Sequence, residues 1–127
     1  MAVNLIEALG AAEAATQDRI TIYVPSRDRN GNPVVFEPWV ERVLDFLSQV
    51  GGGATRMPAQ GAWRNPDTGA LIIEEVTLVY SYVDGDALAA RLTGLRQLMH
   101  AMGRALDQGE VAIEVNENFY KIRNFDT

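Results

Sequence analysis

The sequence predicts an α+β domain, an antiparallel sheet carrying two helices on one face, and three observations carry that expectation. Strict alternation in ITIYV (Ile20–Val24) and EVAIEV marks strands near both ends of the chain. Two segments repeat apolar residues at helical spacing: Phe36, Val40, Val43, Leu47 and Val50, then Leu88, Leu92, Leu95, Met99, Met102 and Leu106. Between them, ALIIEEVTLVYSYV (Ala70–Val83) is apolar on nearly both faces, which suits the centre of a sheet.

Taken in order, residues 3–15 are rich in helix formers, with Val3, Ile6, Leu9 and Glu13 at helical spacing. The stripe is short, so this helical extension (residues 1–19) needs a surface to pack on. A single domain over residues 20–127 follows. Its first strand puts Ile20, Ile22 and Val24 on one face and ends at Pro25, where SRDRNGNP forms a turn-rich loop. Pro38 suits the first turn of the next helix, with Glu37 favourable at its positive end. Trp39 and Phe46 widen its apolar face, and Gly51-Gly52-Gly53 stops it.

ATRMPAQGAWRN is expected as an irregular second strand, which Pro58 confines to an edge or a bulge. NPDTG is a β-turn. After the long strand, Asp84 or Asp86 caps a helix running from Leu88 to Leu106, closed by Gly109. EVAIEV, the turn NEN and the short extended piece FYKIR complete the chain. The inner order β, α, β, β, α, β spells the split-βαβ, ferredoxin-like arrangement.

At 127 residues the chain suits one core and is too short for two. With 47% hydrophobic and 22% charged residues it has the composition of a folded, soluble protein. Seventeen acids against eleven bases give a charge of -6, which argues against broad binding to nucleic acid or anionic membrane. The lack of cysteine excludes disulfides, thiolate metal sites and a cysteine nucleophile. The start has no basic region before its apolar run, and no eighteen-residue apolar stretch occurs, so a cytoplasmic location is expected.

Several residues bear on chemistry. The glycine run at 51–53 follows a helix, precedes extended chain and lacks G-K-[ST], so it stops a helix and cradles no phosphate. His100 is the lone histidine, a poor metal ligand by itself, and is expected at the surface or its boundary. Asp84-Gly85-Asp86 resembles a D-x-D metal motif, but a helix cap needs the same residues. No metal and no cofactor are expected, and nothing marks Ser26, Ser48 or Ser81 as a nucleophile. Glu74 and Glu75 are adjacent on a strand and point to opposite faces, one of them toward the open side where an arginine could hold it.

On the long strand, Ile72, Val76, Leu78, Tyr80 and Tyr82 share the face opposite Leu71, Ile73, Val79 and Val83. The helices cover one side only. The other is covered by the N-terminal helix, or packs sheet to sheet in a homodimer, or forms a ligand groove. Arg27 and Arg29 follow the first strand, Arg56 and Arg64 lie on the second, and Tyr23 and Trp63 could stack a ring beside them. A solvated edge explains scattered arginines equally well. The candidate binding set is Tyr23, Arg27, Arg56, Trp63, Arg64, Glu74, Tyr80 and Tyr82.

Over roughly residues 20–83 the chain resembles a small bacterial family known as a domain of unknown function (number 3574). The matching positions are Gly31, Trp39, Gly53, Thr55, Gly61, Trp63, Gly69 and Glu74 or Glu75. The family has no established chemistry, so the resemblance implies the fold alone. It also reads residues 61–75 as a hairpin on which Trp63 packs while Arg64, on the opposite face, reaches out toward Glu74 or Glu75.

Three functions follow as expectations. The first is a non-catalytic homodimeric interaction protein that associates through its open sheet face, with the N-terminal helix as a further surface for a protein partner. The second is a small-molecule-binding protein or cofactor-independent enzyme with its pocket on that face. The third is a weak nucleic-acid module that stacks bases on sheet aromatics.

Overall fold

The structure is a computed structural model and describes residues 2–15 and 17–127. Its elements are α1 (Leu5–Leu9), β1 (Asp18–Pro25), α2 (Glu37–Gly51), β2 (Thr55–Arg64), β3 (Leu71–Val83), α3 (Gly85–Ala89), α4 (Leu92–Ala105), β4 (Val111–Val115) and β5 (Asn118–Ile122). The fold is α+β. The five strands form one sheet in the order β2-β3-β1-β4-β5, and every neighbouring pair is antiparallel.

The core lies between one sheet face and the helices. Ile20, Ile22 and Val24 of β1 and Val79 and Val83 of β3 meet Val40, Val43 and Leu47 of α2 and Leu95, Met99 and Met102 of α4. The period-2 and period-3.6 patterns of the sequence thus converge on one apolar layer. Pro38 occupies the first turn of α2, and Gly52 in the left-handed region (φ 85°) ends it. Gly51 has a different role. A Cβ there would lie 2.6 Å from Ser81 Oγ and 2.7 Å from the Tyr82 carbonyl oxygen, so α2 closes on β3 only because that position has no side chain.

Several expectations are corrected. The N-terminal helix spans five residues, not 3–15: Asn4 caps it by accepting from Glu7 N (3.1 Å), and Gly10 at φ 63° stops it. None of its residues is buried, so it does not cover the sheet. Strand β2 is regular, with Pro58 opposite Thr77 and no bulge; its position at the sheet edge accommodates the missing N–H. The helix expected from Leu88 to Leu106 breaks at Ala90–Arg91. Asp84 caps α3 through Ala87 N (3.1 Å), as a cap and not a metal motif. The break leaves Leu92 outside the core while Leu88 and Leu95 both reach it, and Gly94 comes against the Phe46 ring of α2.

His100 is buried, at 5% exposure, not on the surface. The C-terminal segment folds over it. His100 Nδ1 accepts from Asp126 N (2.7 Å), the Phe125 ring packs edge-on at 5.9 Å, and Asp126 takes two bonds from Arg96 (2.7 and 3.0 Å). Gly103 makes room for Phe125, since a Cβ there would lie 2.4 Å from the ring.

Candidate functional site on the open sheet face

Register decides which side chains share the face without helices. Arg19, Thr21 and Tyr23 of β1 stand opposite Tyr82, Tyr80 and Leu78 of β3. Beyond them, Met57 faces Leu78 and Trp63 faces Ile72, while Glu114 lies between Thr21 and Phe119. Since side chains alternate across a strand, these all project from the same side.

Tyr23 is the centre of this face. Its hydroxyl donates to Glu114 Oε1, and its ring meets Phe119 edge-on at 5.8 Å. Burial, and then the bonded Glu114 carboxylate and its charge, push the Tyr23 phenol up to about 12. Tyr23 is therefore a neutral donor at ordinary pH, not a base. It orients Glu114 and leaves the second carboxylate oxygen free to accept from something else.

Tyr23 lies on the wall of three contiguous hollows. One, of about 330 Å³, is also bounded by Arg19, Met57, Tyr80, Tyr82 and Glu114, with the rings of Tyr80 and Tyr82 edge to face at 6.4 Å. A second, of about 280 Å³, opens toward Trp63 because Ala59 and Gly61 stand opposite Val76 and Glu74 and fill little space. The third, about 740 Å³, runs from Tyr23 and Trp63 past Glu74 to Arg27, Arg29 and Lys121. Aromatic walls with a few convergent charges are the usual composition of a small-molecule site.

Of the residues named from the sequence, the fold brings together Tyr23, Arg27, Trp63, Glu74, Tyr80 and Tyr82. Arg56 and Arg64 are excluded. Arg56 pairs in register with Val79 on the helix-bearing side, and its guanidinium grips Glu37 through two bonds (2.6 and 2.9 Å), holding that carboxyl below the usual carboxylate range. Arg64 donates to the Gly69 carbonyl (2.7 Å) across the hairpin turn and reaches neither glutamate. Glu74 is the glutamate on the open side, and no arginine among the described residues bonds it; Glu75, on the other side, accepts from Gln60 (2.9 Å). Trp63, expected to pack, is 48% exposed. Sequence reasoning missed Arg19, Glu114 and Lys121. Alternation in EVAIEV shows that Glu114 has a face, but only the pairing of β4 with β1 brings it to Tyr23.

Among the described residues, no three His, Cys, Asp or Glu side chains gather as a metal site. No helix among them is long and apolar enough to cross a membrane.

No protein-family model matches the sequence, and no curated protein does. Solved structures do match in fold. A phage SAM lyase in complex with S-methyl-5'-thioadenosine superposes with a TM-score of 0.59 at 12% identity, over 87% of this chain and 92% of that one. A phage SAM lyase in its apo state gives 0.57 at 18% identity, over 85% and 90%. A Bacillus cereus protein related to NIF3 aligns with 95% of this chain but 32% of its own length, at a TM-score of 0.48. At these identities the chain is similar to the phage lyases in fold, and the likeness extends over nearly the whole of both chains.

Proposed function

We propose that this protein binds a small molecule on the open face of its sheet, in the hollows around Tyr23. One observation carries the reading: residues from β1, β2, β3 and β4 converge there on a half-buried phenol whose hydroxyl orients a carboxylate. The ligand class that fits is an aromatic ring with a polar or cationic substituent. Trp63, Tyr80 and Tyr82 offer ring faces, and Glu74 and Glu114 offer acceptors. A purine thioether nucleoside, the kind of ligand that the phage lyase of similar fold holds, is the first candidate to test. The strand order, with two helix-bearing crossovers, supports the finer fold assignment, a ferredoxin-like split βαβ extended by β5.

The test is native mass spectrometry of the protein as purified, followed by calorimetric titration with S-methyl-5'-thioadenosine. The expected result is a bound non-peptide mass, or saturable one-to-one binding. Tyr23→Phe should weaken it up to about tenfold, the loss of one hydrogen bond that orients Glu114. A bare chain that takes up no such compound would count against the reading.

A second reading, self-association through the same face, is favoured by the exposure of Met57, Trp63, Tyr82 and Phe119 on it. Sedimentation at micromolar concentration tests it. A dimer dissociated by Tyr82→Asp is the expected result, and a dimer insensitive to that change would place the contact elsewhere.

A further inference from the structure

The helix-bearing side carries a polar hollow that has no part in the open face. Arg42, Asp45, Phe46 and Gln49 repeat at helical spacing on α2, and Arg91, Gly94, Leu98, Ala101 and Arg104 do so along α4 and the residue before it. The two stripes bound a space of about 500 Å³. Gly94 lets α4 approach Phe46, since a Cβ there would lie 3.2 Å from the ring.

This hollow gathers positive charge that no acid neutralises. Of the eleven basic side chains, Arg29, Arg56, Arg96, Lys121 and Arg123 pair with a carboxylate. Six pair with none among the described residues, and three of these, Arg42, Arg91 and Arg104, line the one hollow. Its single acid, Asp45, accepts from the Gln49 amide (2.8 Å). Asp126, which feels the charge of Arg104, is taken by two bonds from Arg96. On a chain of net charge -6, three guanidiniums against one carboxylate reverse the sign locally.

Two of the guanidiniums are also held in place. Arg42 lies over the Trp39 ring at 4.1 Å and Arg91 over the Phe46 ring at 5.0 Å, and Arg91 donates to Gln49 Oε1 (3.3 Å). A ring against its face fixes a guanidinium and leaves the N–H groups along its edge for an acceptor. Such planar forks match the oxygens of a phosphate group, which accepts two parallel bonds from each. The surroundings select among phosphate ligands. The hollow is compact, and the acidic remainder of the surface repels a long polyanion.

We infer that the hollow between α2 and α4 binds a compact phosphate or pyrophosphate group, free or carried by a small molecule, with Arg42, Arg91 and Arg104 as its donors. This site is separate from the hollows around Tyr23 and does not depend on them.

Calorimetric titration of the full chain tests it, with inorganic pyrophosphate and ADP as probes, in about 0.15 M salt, where exposed charges more than about 8 Å apart are screened. Saturable one-to-one binding is expected. Arg42→Gln and Arg104→Gln alter exposed side chains and spare the core, and each should weaken binding about tenfold or more. Arg42→Lys keeps the charge but loses the fork, and should weaken it too. Arg64→Gln removes an equal charge from the β2–β3 hairpin and should change it by less than about twofold. Pyrophosphate bound at least as tightly as ADP assigns the free anion; tighter binding of ADP assigns a phosphorylated organic molecule. Three results would overturn the inference: no saturable binding of either probe; the same loss with Arg64→Gln as with Arg42→Gln, the mark of diffuse attraction; or tighter, Arg42-dependent binding of a thymidine oligonucleotide, the mark of a nucleic-acid surface. S-methyl-5'-thioadenosine carries no phosphate, so its titration reads the open face and the two proposals fail separately.

Discussion

Tyr23 combines three circumstances in one side chain: partial burial, a carboxylate acceptor and an aromatic neighbour. Its folded pKa lies above the unfolded value, so the protonated phenol contributes stability that is fully present below pH about 10. That contribution is lost as pH rises through about 12. Tyr23→Phe should remove the most alkaline step from the tyrosinate absorbance titration and flatten the loss of stability in that window; an unchanged titration would contradict the bond to Glu114. Trp63 raises a different question. A buried tryptophan would cost roughly 3–5 kcal/mol on truncation, but this one is half exposed, so Trp63→Ala should cost about 1 kcal/mol or less. Thermal melts of Trp63→Ala beside the parent check it. The sequence pattern gave both residues their face but could not give Trp63 its exposure. Burial depends on whether β1 runs alongside that part of the hairpin, and β1 ends opposite Val76.

The β2–β3 hairpin shows at the level of the element why that matters. Residues 71–75 of β3 pair with β2 alone, so this end is a two-stranded arm that leaves Leu71 (53%) and Ile73 (59%) exposed on the helix-bearing side. Two-stranded ribbons are marginal in water. Amide hydrogen exchange should therefore be faster at 71–75 than at 77–83, and equal protection would mean that something covers the arm. The end of α2 is the opposite case. Gly51→Ala puts a methyl group against β3 backbone and should cost about 1–3 kcal/mol as overpacking, measured as a lowered denaturation midpoint. Local chemistry was readable in these elements: Pro38, Gly52, Asp84 and the NPDTG turn act as their residue types require. The break between α3 and α4 was not. The leucine spacing runs through Ala90–Arg91 without a flaw, yet Arg91 leaves helical geometry (φ -118°, ψ 12°) and separates two helices.

Across the whole molecule, one sheet separates two environments. Helices fill one side with aliphatic side chains, while the other presents tyrosines, a tryptophan and carboxylates around shared hollows. The candidate set was legible where alternation along one strand assigned a face, as for Tyr80, Tyr82 and Glu74. It failed for Arg56 and Arg64, whose strand positions are opposite in sense to Trp63 and Met57, and it missed Glu114, which reaches Tyr23 across 91 positions of sequence. The most direct test of the open face as a ligand surface uses the two tryptophans. Trp39→Phe leaves Trp63 as the sole indole emitter, and S-methyl-5'-thioadenosine is titrated into that variant. The expected result is a saturable change in Trp63 emission, with a midpoint shifted to higher concentration by Tyr23→Phe. Emission that stays flat while calorimetry records binding would put the ligand elsewhere and contradict it.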